Sequence, residues 1–357
     1  MCQRDAIQCI IPPYITEWLA RSDNAAVRER AAANVEAAAR ARLLRARVRA
    51  APSFVAPRAP APGKHRLLYD AKNTDKLPGV LVRSEGQGPV ADPAVNEAFD
   101  HAGSTYDFYD SVFKRNSLDG DGMTLVGTVH LAEAGGRGHF VPLDNAFWDG
   151  TQMAYGDGDG VIFQRFTRSL DVVGHELTHG VQSFTSNLEY EGQSGALNEH
   201  FADVFGVLVR QWKNGESAAK ADWLIGKEVL VAAPTRRGVR DMAHPGKAFT
   251  RDPYLGTDPQ PSHMSKLYEG QSDNGGVHIN SGIPNRAFVL AAQRLGGNAW
   301  DAAGRIWYDT MLRLPKRCEF QECAELCAQM AATIGADAVD AVRSAWAEVG
   351  VTMKVYA

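Results

Sequence analysis

The sequence predicts an α+β protein of two lobes preceded by a short helical appendage, and three observations carry that prediction. From about Lys64 to Asp159, short β-like runs such as HRLLYDA and MTLVGTVHLA alternate with the turn signals Pro78-Gly79, Asp119-Gly120-Asp121-Gly122 and Asp157-Gly158-Asp159-Gly160. From Leu170 onward the apolar residues recur at helical spacing in longer runs. Between Ala51 and Gly63 a stretch with four prolines cannot continue a helix and suits an extended linker. Strands first and helices second fit a sheet and a helical lobe rather than alternating βαβ units.

Taken in order, Asn24 to Ala51 is rich in Ala and Arg and strongly favours helix. The β-rich region follows the linker. The helical runs are LDVVGHELTHGVQSFT, SGALNEHFADVFGVLVRQW, Ile283 to Leu295, and two more between Asp301 and Gly350. Three segments are expected: an appendage over 1–51 that reads as a solvated helical tail or as a pro-segment packed on the rest, a β-rich lobe over 52–190 that includes the first of these helices, and a helical lobe over 191–357. Against 42 Asp+Glu stand 38 Lys+Arg, a net charge of −4 that argues against nucleic acid as partner. No apolar run approaches the roughly 18 residues of a membrane span. The N-terminal MCQRDAIQCIIPPYITEW lacks the charged region and clean apolar stretch of a secretory signal. The expected location is therefore the cytoplasm, with export by a non-classical route as the alternative. Five cysteines do not build a disulfide framework, and nothing points beyond a monomer.

The chemistry concentrates in His175-Glu176-Leu177-Thr178-His179. On a helix, positions i and i+4 share a face, so both imidazoles can reach one metal ion, and Glu176 lies beside that face to handle a metal-activated water. Twenty residues after His179 comes Glu199 on a second amphipathic run. Two His and one Glu leave a zinc ion one open position, the mark of a catalytic site. Asp203, one turn beyond Glu199, can accept the other ring N–H of a ligand histidine.

These motifs resemble the thermolysin-like zinc metalloendopeptidases over nearly everything after about residue 65, and several separate segments carry the likeness. They are Asn145-Ala146-Phe147-Trp148, MAYGDGDG from Met153, DVVGHELTHGV, SGALNEHFADVFG, Val239-Arg240-Asp241-Met242 and DNGGVHINSG from Asp273. The resemblance implies a two-lobed fold with one zinc between the lobes, bound by His175, His179 and Glu199. It implies Glu176 as general base, Tyr190 and His278 as donors to the oxyanion, and Asp273 as the group orienting His278. Asp203 and Asn198 would hold the zinc histidines, and Asn145, Ala146 and Arg240 the substrate backbone. Phe163, Phe166, Val172, Val229 and Val239 would line an uncharged pocket that prefers a hydrophobic residue just after the scissile bond. Protein or peptide substrates would be its partners. A silent zinc-binding interaction protein and an aminopeptidase sharing the zinc motif are the rival readings.

Two departures refine the likeness. Relatives carry a calcium cluster, but here Arg210 and Lys227 stand where two acidic ligands are expected beside Asp171 and Asp222. Ion pairs should replace the calcium. The short N-terminal segment and the missing calcium resemble the branch typified by protealysin, in which a Pro-Pro-Leu element lies in the substrate cleft. Pro12-Pro13-Tyr14 corresponds to it, so the pro-segment is expected to inhibit there and to be removed near Ala50–Ser53. Cys9 reads as an apolar residue of that segment, or as a thiolate facing zinc, and Cys318, Cys323 and Cys327 as core or reduced surface thiols.

Overall fold

The computed structural model describes residues 9–35, 63–134 and 139–354. Residues 9–11 precede α1 (Pro13–Leu19), which Pro12 caps and Pro13 opens, at positions where a missing N–H costs nothing. Helix α2 covers 25–35, with Asn24 Oδ1 accepting from the Ala26 N–H at 3.0 Å. The rest of the Ala/Arg-rich run, most of the proline-rich linker and the expected cleavage site at Ala50–Ser53 lie outside the described residues.

Six strands follow: β1 (Arg66–Thr74), β2 (Val80–Ser84), β3 (Leu125–Ala134), β4 (Phe140–Pro142), β5 (Ala146–Trp148) and β6 (Met153–Gly156). They form one sheet in the order β2-β1-β3-β6-β5, with β4 paired to β3. Strand β3 runs parallel to both β1 and β6, and parallel neighbours need a crossover. Helix α3 (Pro93–Phe113) supplies the first one. The reading of residues 64–159 as short strands misses this helix, although Asp92-Pro93 is a helix start and Asp92 Oδ1 accepts from the Ala94 N–H at 2.9 Å. Its centre, Gly103-Ser104-Thr105, holds weak helix formers. Burial of Tyr106, Phe108, Tyr109 and Phe113 holds the helix together instead.

Helices dominate the rest of the chain: α4 (Leu170–Ser183), α5 (Gly192–Asn214), α6 (Ser272–Asn280), α7 (Gly282–Leu295), α8 (Ala302–Met311), α9 (Phe320–Ala331) and α10 (Ala336–Glu348). A two-stranded ribbon joins β7 (Leu224–Ile225) to β8 (Arg240–Asp241). Three helices, not two, occupy Asp301 to Gly350, because Pro315 interrupts the chain after α8 and Gly335 after α9. One continuous apolar core joins both lobes, and Ile10, Ile11, Ile15 and Leu19 of the N-terminal segment belong to it.

The contact between α4 and α5 positions everything that follows. It is close because Gly206 has no side chain: a Cβ there would lie 2.5 Å from Asp171 O and 2.9 Å from His175 N, both backbone atoms. Gly206→Val should therefore force the helices apart and destabilise the protein by about 1–3 kcal/mol, with Gly206→Ala intermediate. Thermal unfolding of the two variants checks this, and an unchanged midpoint would mean that the helices slide freely past one another.

Candidate active site

Helix α4 presents His175 and His179 on one face, and α5 brings Glu199 against them. The two Nε2 atoms are 3.1 Å apart. Glu199 Oε2 is 3.5 Å from His175 Nε2, and Oε1 is 3.4 Å from His179 Nε2. A tetrahedral zinc with bonds of about 2.0–2.2 Å has ligand–ligand edges of about 3.3–3.6 Å, so this triangle fits that ion. All three side chains are fully buried. Burial opposes ionising Glu199, but the imidazoles of His278 and His179 hold its carboxyl well below the usual range. Its Oε2 accepts no hydrogen bond among the described residues. A buried anionic oxygen facing two imidazole nitrogens is suited to a cation.

The other ring nitrogens are held. Asn198 Oδ1 lies 2.8 Å from His179 Nδ1, and Asp203 Oδ1 lies 2.9 Å from His175 Nδ1. Arg240 donates to the same carboxylate from Nε at 2.8 Å and from Nη2 at 2.7 Å, and Asn285 Nδ2 donates at 2.8 Å. Burial pushes the Asp203 carboxyl up, yet Arg240 and His175 outweigh it and keep the group ionised. Asn285 escaped the sequence reading, since a lone Asn on a helix carries no signal. Glu176, also buried, receives the Trp148 N–H of β5 at 3.1 Å on Oε2, which fixes its carboxylate between α4 and the sheet edge.

Across the site, Tyr190 donates to Glu199 Oε1 and lies 3.1 Å from His278 Nε2. Burial, then the charge of Glu199, pushes the Tyr190 phenol well above its ordinary range. Asp273, Asn274, Gly275 and Gly276 all have left-handed backbone, with φ of 55°, 51°, 81° and 78°. Asp and Asn tolerate that region best among residues with side chains, and Gly adopts it freely. The coil this makes aims Asp273 at His278: Oδ2 accepts the His278 N–H at 2.8 Å, and Oδ1 lies 2.6 Å from Nδ1. Burial lowers the His278 pKa, but Asp273 and Glu199 more than offset this and raise it to about 9.

The cleft holds the chain's own N-terminal segment. Cys9 pairs antiparallel with Phe147 on the outer edge of β5. The Ile10 N–H donates to Ala146 O at 3.4 Å and the Ile11 N–H to Asn145 Oδ1 at 3.1 Å, while Arg240 Nη1 donates to Ile10 O at 3.0 Å. Strand pairing thus falls on Cys9–Ile11, upstream of Pro12-Pro13-Tyr14, because prolines have no N–H to offer an edge strand. Pro12 and Pro13 turn the chain into α1. Tyr14 is half-buried, and its hydroxyl is buried near the charges of Asp258, Arg240 and Asp273. Phe163, Phe166, Val172, Val229 and Val239 are at most 1% exposed and belong to the same apolar core as Ile10.

Sequence profiles of the thermolysin metallopeptidase catalytic domain and its alpha-helical domain match residues 63–183 and 186–351. The chain belongs to the thermolysin metallopeptidase family. An extracellular metalloprotease of Pectobacterium carotovorum subsp. carotovorum is 49% identical over 298 residues, 83% of either chain. Protease PrtS of Photorhabdus sp. (strain Az29) is 48% identical over 81% of this chain and 77% of its own. The solved precursor of protealysin, a metalloproteinase from Serratia proteamaculans, superposes with a TM-score of 0.86 at 42% identity, covering 97% of this chain and 100% of that one. The protein is thus a thermolysin-like zinc metalloendopeptidase. The expectation of a cytoplasmic protein is corrected by the relative named as extracellular. No helix among the described residues is long and apolar enough to cross a membrane.

In this thermolysin-family chain, Arg210 bridges Asp171 at 2.5 Å and Asp222 at 2.7 Å, and Lys227 lies 3.4 Å from Asp222. Cys9 is buried, and Cys318, Cys323 and Cys327 are buried free thiols, with burial pushing Cys318 up to about 12. Cys9 Sγ contacts Ile11 O at 3.4 Å, and the metal-competent cluster comprises His175, His179 and Glu199 without it. A second group, Asp70, Asp92 and His130, could also gather around a cation. There His130 bridges Asp157 and Asp92 at 2.7 Å each. The hydrogen bond that His130 donates to Asp157, working against burial and helped by Asp92, raises its pKa to about 9, so a charged imidazole already pairs with Asp92 and Asp157.

One carboxyl beneath the pro-segment titrates near neutrality. Asp144 meets Asn34 of α2 through Asn34 Nδ2 at 3.2 Å and its own N–H at 3.0 Å. Its Oδ1 is buried with no hydrogen-bond partner among the described residues. Burial first, then Asp159, pushes the carboxyl up to about 7, against the pull of Arg30. A raised acid pKa means that the docked state prefers the protonated form. Docking is firmest below about pH 4, weakens by up to about tenfold per pH unit toward 7, and is flat above it. Asp144→Asn should abolish this slope, read as the dissociation rate of the pro-segment after the linker is nicked. A slope that survives the substitution would place the titrating group elsewhere.

Proposed function

We propose that this chain is the precursor of an endopeptidase that hydrolyses internal peptide bonds before hydrophobic residues, with Glu176 as general base, and that residues 1–51 block its cleft until they are removed. On this reading 52–190 and 191–357 are the two lobes of the active enzyme, a monomer that acts outside the cell without nucleic acid or membrane. The observation that carries it is the buried His175–His179–Glu199 triangle with Glu176 fixed beside it by the Trp148 N–H at 3.1 Å. Zinc held there supplies a Lewis acid that lowers the pKa of water and polarises a carbonyl.

The chain's own groups do the rest. Glu176 takes a proton from the attacking water and delivers it to the leaving amine. His278, held by Asp273, and Tyr190 donate to the carbonyl oxygen as it gains charge. Asn145, Ala146 and Arg240 hold the substrate backbone extended along β5, as strand addition does. Asp203 and Asn198 keep the histidines oriented toward the metal. The uncharged pocket of Phe163, Phe166, Val172, Val229 and Val239 supports the hydrophobic preference. The Arg210 and Lys227 ion pairs take the place of calcium.

Three measurements test this. Zinc-loaded wild type should shorten by about its first 51 residues and cleave casein. Glu176→Ala should keep its zinc and lose activity by about 10²–10⁴-fold or more. A Glu176→Ala protein as active as wild type would remove the general-base role, and zinc binding without turnover in wild type would favour the silent interaction protein. A peptide library should be cut before hydrophobic residues, and selection for charge there would overturn the pocket assignment. Calcium titrated calorimetrically into the zinc-loaded protein should give no saturable heat.

A further inference from the structure

We propose that the precursor holds residues Cys9–Ile11 as a substrate, with the Cys9–Ile10 peptide bond at the place of cleavage, and cuts itself there. This rests on the endopeptidase reading and adds a second processing site to it, far from the linker.

The register follows from three consecutive residues. Cys9 O lies 3.1 Å from His278 Nε2, the group assigned to the oxyanion. The next carbonyl, Ile10 O, accepts from Arg240 Nη1 at 3.0 Å. Ile11 is gripped on both sides by one side chain, its N–H 3.1 Å from Asn145 Oδ1 and its C=O 3.5 Å from Asn145 Nδ2. The carbonyl before the bond, the amide after it and the residue beyond are therefore each engaged in turn. Slipping the segment one residue toward its N-terminus would bring Pro12 to Asn145, where it has no N–H to donate. The proline pins the frame. Ile10, the residue just after the bond, is 0% exposed within the apolar core that contains the pocket side chains, and so satisfies the hydrophobic preference.

Hydrolysis at this bond balances with water alone. The hydroxyl of water goes to the Cys9 carbonyl carbon, the C–N bond breaks, and the second hydrogen, relayed by Glu176, reaches the Ile10 nitrogen. The products are a peptide ending in Cys9 carboxylate and a chain beginning with the Ile10 amine. The cut does not open the cleft. Ile10 and Ile11 keep their bonds to Arg240 and Asn145, and Ile15 and Leu19 stay buried, so inhibition lasts until the linker is severed as well.

The test uses the full-length chain and two readouts. Without added zinc, hydrogen exchange of the Glu176→Ala protein should show slow amides at Ile10 and Ile11, and Ile10→Asp in that background should speed both at least tenfold. Fast exchange at these amides in the parent protein overturns the register independently of any activity. With zinc, terminal sequencing by mass spectrometry should find Ile10 as a new N-terminus, on the chain or on the freed pro-segment, in wild type and not in Glu176→Ala. If wild type cleaves casein once the linker is nicked but never yields an Ile10 terminus, the self-cut is wrong and the peptidase reading stands. If wild type with bound zinc cuts neither, both fall together.

Discussion

Asp203 has no exposed surface, yet side chains from three other elements converge on its two oxygens: His175 from α4, Arg240 from β8 and Asn285 from α7. Taking a carboxylate out of water costs several kcal/mol, and a single neutral partner would not offset that. The bidentate guanidinium does, and Arg240 is itself fully buried. Neither charge is stable without the other, so α5, which carries Asp203, and the β7–β8 ribbon are locked in one arrangement. That arrangement fixes the ring of a zinc ligand at one end and leaves Arg240 Nη1 pointing at Ile10 O at the other. Metal binding and recognition of the chain in the cleft are therefore properties of one buried ion pair.

The sheet contributes through its edge. A short end strand leaves N–H and C=O groups open, which would invite pairing with any extended chain. Strand β5 uses that exposure: one side of Trp148 gives its N–H to Glu176, and the outer edge of the same strand pairs with Cys9 and Ile10. Glu176, the proposed general base, and the backbone lying along the cleft are thus held by neighbouring bonds of one three-residue strand.

Much of this was legible because the site is made of local patterns. The i, i+4 histidines, the carboxylate one helical turn before Asp203 and the Asp-Asn-Gly-Gly run each carry their chemistry within ten residues. Asp273 and Asn274 could be placed before His278 but not seen as left-handed, since φ above zero is visible in sequence only where glycine stands. Helix α3 was missed although Asp92-Pro93 marks its start, because the weak helix formers at its centre are overridden only by aromatic burial, a tertiary effect. Asn285 and Asp144 matter only through partners 82 and 110 positions away, a separation that no spacing rule spans. The Pro12-Pro13 pair drew attention to the right segment, but the bonds fall on the residues before it. Proline marks where a strand must stop rather than where it pairs.

If the N-terminal segment inhibits as proposed, the way it is held limits how such an inhibitor can be built. Its backbone engages Ala146, Asn145, Arg240 and His278, the groups assigned to substrate, so weakening any of them to release the inhibitor would weaken turnover in equal measure. Independent adjustment must come from contacts a substrate does not make. In this chain those are the buried Ile15 and Leu19 of α1 and the Asn34–Asp144 pair under α2. They add affinity through attachment rather than through the cleft, and they act only while the segment is one piece with the enzyme or folded against it. Once the linker is cut, docking depends on α1 and α2 staying in place, and the unpartnered oxygen of Asp144 makes that hold weaker as the medium turns from acid to neutral. Release is thereby governed outside the catalytic groups, which lets the cleft remain complementary to its substrates throughout.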